Sequence, residues 1–142
     1  MNLSGSLAMN RYTKYLFGLF LSLAIAMGSP VYAQNAPDQV AAAMKRGDAA
    51  SISRHFGDLV DITINKKQNN YSPAHAEMVL RDWFSKNDPS KYEPEHSGTS
   101  SGNSVFFSIG QLTTSTGKYR VYMLFKQRDN SLQLSEIRFE KL

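Results

Sequence analysis

The sequence predicts an α+β domain in which one long amphipathic helix packs into the concave face of a curved, mainly antiparallel sheet. Three observations lead there. After the N-terminal leader, only one long stretch, Ser72 to Asn87, is strongly patterned at helical spacing. From Pro89 onward the chain reads as strand, interrupted by three turn signals. Two short helical patterns and a strand pair precede the long helix, so the order is helix, helix, strand pair, long helix, four strands.

The leader comes first. Arg11 and Lys14 precede an apolar run of 13 residues from Tyr15 to Met27, followed by Gly28, Pro30 and Val31-Tyr32-Ala33. A basic region, a short apolar segment, a helix breaker and small residues before a cut describe a secretory signal peptide. Cleavage is expected between Ala33 and Gln34. A start at Met9 gives a more usual short basic region than one at Met1. A spanning helix needs about 20 apolar residues, so release into the periplasm or medium is expected, with no stable membrane anchor. The chain has no cysteine, which removes lipid attachment at the cut, disulfides and thiolate chemistry.

Residues 34–142 then form one domain of 109 residues, enough for a single modest core. The leader takes two basic groups with it and leaves 14 basic against 12 acidic, a balance of +2. That charge on an exported domain argues against a nucleic-acid partner.

Each element has a local reason. Asn35 caps a first helix with Asp38 three residues on, Val40, Ala43 and Met44 form its apolar side, and Gly47 ends it. Asp48 caps a second short helix in which Ala49, Ile52 and Phe56 line up and Gly57 is the stop. From Asp58 to Asn65 the period becomes two, with Val60, Ile62 and Ile64 on one side. Lys66 to Asn70 reads as a polar hairpin tip before a brief strand at Tyr71.

In the long helix Ala76, Val79, Leu80, Trp83 and Phe84 fall at i, i+3, i+4, i+7 and i+8. Ser72 is the expected N-cap, Pro73 opens the first turn, and Asn87 is the expected left-handed C-cap. Strands follow over 92–100, 104–114, 118–128 and 132–141, joined by turns at Ser101-Gly102-Asn103, Thr116-Gly117 and Asp129-Asn130. Pro94 places the first of these at an edge or an end. In the last, Leu132 and Leu134 have one parity and Ile137 and Phe139 the other, so a bulge is expected near Ser135-Glu136.

With these residues in place the chain resembles the cone-shaped nuclear transport factor 2-like superfamily, and more narrowly the exported bacterial family called domain of unknown function 4783. The residues that carry the resemblance are Lys45-Arg46-Gly47-Asp48, Tyr71 to Ala76, Trp83-Phe84, His96 with Gly98, and Lys118 to Tyr122. The resemblance implies the fold and brings no established activity with it.

Enzymes of the wider superfamily place Asp, His or Tyr inside the cone for acid/base work, which strand parity tests. Between Lys118 and Arg128 the apolar row Tyr119, Val121, Met123 and Phe125 is expected to face the helix. Asp61 then points outward. Two pocket candidates are left, His96 on the edge strand and Glu136 at the bulge, each with a surface reading beside it. His55 at the end of the second helix suits a helix dipole as a cation, and His75 is expected to face solvent. No histidine pair has metal-ligand spacing and no glycine-rich phosphate loop is present, so neither metal nor cofactor is expected.

Phe106, Leu112, Tyr122 and Leu124 are assigned to the opposite face, interleaved with Ser108, Gly110, Arg120 and Lys126. Aromatic, aliphatic and basic groups of this kind make an interface centre, so a homodimer through the sheet is expected. The functional expectation is an exported non-catalytic domain that binds a small apolar ligand or a protein partner. The competing expectation is a small isomerase- or dehydratase-like enzyme with His96 and Glu136 or a tyrosine in the cone. A cone plugged by Trp83, Phe84 and Met123 argues against the enzyme.

Overall fold

A computed structural model of the protein describes residues 35–100, 102 and 104–142. The leader and the expected cut between Ala33 and Gln34 lie outside the described residues, as do Ser101 and Asn103 of the first expected turn.

Helix α1, Ala36–Arg46, begins where the Asn35 side chain accepts the Asp38 N–H at 3.1 Å. It ends at Gly47, whose φ of 64° lets its N–H reach the Met44 carbonyl at 3.1 Å. A Cβ here would also fall 2.9 Å from the Pro89 ring, so both backbone and space require glycine. Helix α2, Ala49–Ser53, is capped by Asp48, which accepts the Ser51 N–H at 3.0 Å and the Ser51 hydroxyl at 2.6 Å.

The second helix is shorter than expected, and Phe56 and Gly57 open strand β1, Phe56–Ile64. A neighbouring strand captures this stretch. The Leu134 N–H donates to the His55 carbonyl at 2.6 Å, and Phe56 pairs with Leu134. Strand β2, Lys67–Tyr71, also begins earlier than expected. Asn65 and Lys66 both have positive φ, 51° and 66°, the twist of a two-residue hairpin turn. Lys67 to Asn70 are therefore ladder residues rather than the tip.

Helix α3, Pro73–Lys86, buries Ala76, Leu80, Trp83 and Phe84, with Val79 partly covered at the flank. Its ends differ from the expected caps. The Ser72 hydroxyl makes no capping bond and lies 3.3 Å from His75 Nδ1. Asn87, with φ −131°, is not left-handed; its buried amide nitrogen instead donates to the Trp83 carbonyl at 2.9 Å.

Strands β3, Pro89–Ser100, β4, Val105–Thr114, β5, Gly117–Arg128, and β6, Ser131–Lys141, form the meander. Among the described residues six strands make one sheet in the order β2-β1-β6-β5-β4-β3. Every pairing is antiparallel except β1 with β6. The Pro94 strand lies at the edge, where a missing donor costs no ladder bond. The expected bulge is at Ser135: Leu124 pairs with Glu136 and Phe125 with Leu134, so Ser135 is the extra residue. Its hydroxyl donates to the Leu124 carbonyl at 3.1 Å. The bulge keeps Leu134 and Ile137 both in the core.

Candidate functional site

The interior of the cone is filled by rings. The Trp83 indole stacks on Phe139 at a centroid distance of 4.1 Å, with Tyr119 edge-on at 5.1 Å and Phe84 at 5.4 Å. Tyr119, Val121, Met123 and Phe125 form the expected inward row, and Met123 is fully buried beneath the helix-facing side. At one end the Asn87 side-chain oxygen accepts from the Tyr119 hydroxyl at 3.1 Å and from the Thr116 hydroxyl. The amide links the helix terminus to the start of β5.

Acid/base chemistry needs a titratable group in this space, and the buried polar side chains among the described residues are Thr63, Asn87, Ser108 and Thr114. Tyr92 is buried as well, lying across Gly110 so closely that a Cβ there would fall 2.4 Å from its hydroxyl. That hydroxyl has no hydrogen-bond partner of good geometry. Burial pushes its pKa up to about 12, an effect that nearby Ser108 only partly offsets. A phenol held protonated this firmly is no base at neutral pH.

Both pocket candidates fall on the wrong side of the sheet. His96 is exposed on the edge strand opposite Ile109, which in turn pairs with Tyr122. Glu136 pairs with Leu124 and accepts from the Arg138 guanidinium at 2.8 Å. The bulge does not turn Glu136 inward, because its extra residue is absorbed on the outer face so that Leu134 and Ile137 both keep the core. His55 is half-buried just past the end of α2; burial first, then Arg54, lowers its pKa. His75 is exposed, as expected.

The outer face also differs from its expected membership. Tyr122 and Leu124 lie there, half-buried. Phe106 and Leu112 do not: Leu112 is fully buried opposite Tyr119, and Phe106 meets Phe125 at a centroid distance of 5.9 Å. Ser108 and Gly110 share their inward row and are buried too. The reason is register. In this hairpin each odd residue of β5 faces an even residue of β4, and partners across an antiparallel pair share a face. Their places are taken by Phe107, opposite Leu124, and Ile109, opposite Tyr122. The turn carried the missed signal: Thr114 pairs with Gly117 across Ser115-Thr116, and that pairing transfers the inward row of β5 onto β4.

The resulting patch is contiguous. Phe107 and Ile109 of β4 lie beside Tyr122 and Leu124 of β5, all half-buried. Phe107 lies against Gly98 of the edge strand, where a Cβ would be 2.8 Å from the ring. The Arg138 guanidinium sits 5.4 Å from the Tyr122 ring centroid, a cation–π contact. Glu136 and Arg138 border the patch on β6, with Arg120 and Lys126 exposed at its ends.

A cleft of about 520 Å³ runs beside α3, with Met78, Val79 and Trp83 from the helix, Ile64 from β1 and Tyr119 from β5 among its walls. Met78 is exposed there, and the Asp82–Lys86 pair at its margin is mutually bonded at 2.9 Å. Among the described residues no group of three His, Asp or Glu side chains converges to hold a metal, and no helix is long and apolar enough to cross a membrane.

Comparison with known proteins follows the same lines. No curated protein matches the chain. A Bacteroides uniformis protein of known structure is 29% identical, covering 76% of this chain and 98% of that one with a TM-score of 0.73. One from Bacteroides ovatus is also 29% identical, covering 75% and 94% with a TM-score of 0.72. Both are described as members of one family of unknown function. The fold extends further, to a Sinorhizobium meliloti protein described as a putative polyketide cyclase, 8% identical over 74% of this chain and 93% of that one at a TM-score of 0.57. The curved sheet over its helix is thus the nuclear transport factor 2-like α+β fold, and the match of residues 37–140 to the family model "Domain of unknown function (DUF4783)" means that the chain belongs to that family.

Proposed function

We propose that the protein is an exported, non-catalytic binding domain, released by cleavage between Ala33 and Gln34, that works as a homodimer through the outer face of its sheet. The observation that carries this is the patch of Phe107, Ile109, Tyr122 and Leu124, four large apolar side chains in adjacent register on the face opposite the core. A second copy is the favoured occupant because the border carries both signs. Glu136 lies beside Arg138, and Arg120 and Lys126 flank the centre. Under two-fold symmetry such a patch meets itself, and the Glu136–Arg138 pair, bonded within the chain at 2.8 Å, brings no uncompensated charge to the seam. The isomerase-like alternative has no buried carboxylate or histidine to carry it among the described residues.

Light scattering on residues 34–142 tests the dimer. Twice the monomer mass is expected, reduced to the monomer mass by Tyr122→Asp with Leu124→Arg. A monomer at high concentration before any substitution sinks the proposal. Secretion of a reporter fused after Gln34, lost when Arg11 and Lys14 are replaced and the apolar run is interrupted, tests export.

The cleft beside α3 supports a second reading, in which a small apolar ligand binds against Trp83 and Met78. Its volume, about 520 Å³, falls within the roughly 300–1,000 Å³ of ligand pockets. Its Asp82–Lys86 margin is self-neutralised, so an uncharged ligand fits better than an ion. Trp83 is the chain's only tryptophan, so its fluorescence reports directly. A saturable change on adding a medium-chain alcohol is expected, and Met78→Glu abolishes it. An unresponsive Trp83 ends this reading.

A further inference from the structure

The first two helices bring two guanidinium groups together, and only one of them has a carboxylate partner among the described residues. Arg46 comes from the last turn of α1, Arg54 follows α2, and His55 comes next. With Gln39, Ala42 and Ser51 they line a hollow of about 410 Å³. Among the described residues the only carboxylate Arg46 reaches is Asp48, at 3.7 Å, and that group already accepts two hydrogen bonds from Ser51. The Arg54 side chain makes no hydrogen bond or ion pair with any described residue. Its five guanidinium donors lie on the wall of the hollow without an acceptor among the described residues.

The same two residues, Arg54 and His55, form part of a second hollow of about 420 Å³. The polar lining there changes character. Asn35, Gln127, Asn130, Ser131 and Gln133 supply amides and a hydroxyl, and no acidic residue borders it among the described residues. Uncharged donors and acceptors of this kind match hydroxyl groups, while the Arg54–His55 wall matches one negative charge.

We propose that this pair of hollows binds a small hydroxylated organic anion, with a carboxylate or phosphate held by Arg54 and His55 and a polyol body against the amide-lined side. Carboxylate and phosphate use the same guanidinium and imidazole donors, and the probes separate them. The site lies at the α1–α2 end of the fold and shares no residue with the sheet patch or the α3 cleft. Its failure therefore leaves the dimer reading intact.

The test is an NMR titration of the full chain as it is expressed, following the His55 ring signals. Glucuronate, glucose 6-phosphate, glucose and acetate are added separately at constant ionic strength. A saturable shift with glucuronate or glucose 6-phosphate is expected, and whichever binds tighter identifies the anionic group. Arg54→Gln is expected to weaken it by about tenfold or more, the loss of one charge-assisted hydrogen bond. Arg54→Lys retains part of the affinity, and Lys67→Gln on the exposed strand β2 leaves it unchanged. Glucose or acetate binding as tightly as glucuronate overturns the proposal, because the charge or the polyol body then contributes nothing. So does an Arg54→Gln protein that binds with unchanged affinity.

Discussion

The indole of Trp83 stacks on the phenyl ring of Phe139, with 4.1 Å between centroids and 29° between planes. Helix and sheet meet here, because Trp83 comes from α3 and Phe139 from the strand at the centre of the cone. Tyr119 and Phe84 close the cluster edge-on. Truncation to Trp83→Ala removes a largely buried side chain and leaves a cavity between layers that cannot collapse together. A loss of about 3 to 5 kcal/mol is expected, measured as a shifted urea midpoint at unchanged slope.

Asn87 is a second joint between the layers. Its nitrogen donates to the Trp83 carbonyl and its oxygen accepts from Thr116 and Tyr119. Replacing it by alanine removes three hydrogen bonds at this joint and is expected to destabilise by about 1 to 3 kcal/mol. Tyr119→Phe removes one donor from an oxygen that keeps another, so its cost is expected to be smaller. Equal losses in the two variants would refute this ranking.

Tyr92 reverses the usual expectation for a buried hydroxyl. Because the hydroxyl has no partner, Tyr92→Phe is expected to leave stability unchanged or raise it slightly. The pKa supplies a second readout. It is about 12 in the folded protein against about 10 unfolded. The unfolded chain releases the proton first, so stability is full below about pH 10 and falls as pH rises toward 12. Chemical denaturation across that range should show a steeper decline in the parent protein than in Tyr92→Phe.

Acid acts through the first two helices. Ser51 bonds lower the Asp48 pKa, its side-chain bond first and its N–H second, and Arg46 adds to them. This contribution is present above the ordinary carboxylate range and is lost as pH falls through it. His55 has its pKa lowered by burial and Arg54, so protonation favours the unfolded chain. Its contribution is present above about pH 6.5 and declines as pH falls below that value. Asp48→Ala is expected to cost about 0.5 to 2 kcal/mol at neutral pH and to flatten the acid limb measured by thermal denaturation.

At Gly110 shape is the constraint. Gly110→Ala places a methyl group 2.4 Å from the Tyr92 hydroxyl in a packed interior, and a loss of about 1 to 3 kcal/mol is expected. Tyr92→Leu should recover part of it, and a double variant no better than the sum of the singles would show that the clash lies elsewhere.

Much of this protein is decided by local rules. The spacing of Ala76, Leu80, Trp83 and Phe84 determines the helix and its buried side, because a 3.6-residue period admits only one apolar stripe. The uniform row of Tyr119, Val121, Met123 and Phe125 determines which side of β5 faces the core. The parity change after Leu134 determines the bulge, since both halves of β6 must stay buried. Asn35, Asp48 and Gly47 set their helix ends through bonds and dihedrals that involve only near neighbours.

Tertiary structure decided what depends on a distant partner. Phe56 became strand because β6 offers Leu134 as a pairing partner, which outweighs one more turn of a short helix. Phe106 and Leu112 went inward and Phe107 and Ile109 outward because the β4–β5 register, not the composition of β4, sets its faces. Glu136 stayed outside because the bulge was absorbed there, and His96 because the edge-strand register places it opposite Ile109. Asn87 capped its helix through its side chain because Thr116 and Tyr119 hold its other end. Local spacing thus determined which residues could be buried, and long-range pairing determined which side of the sheet each one finally occupied.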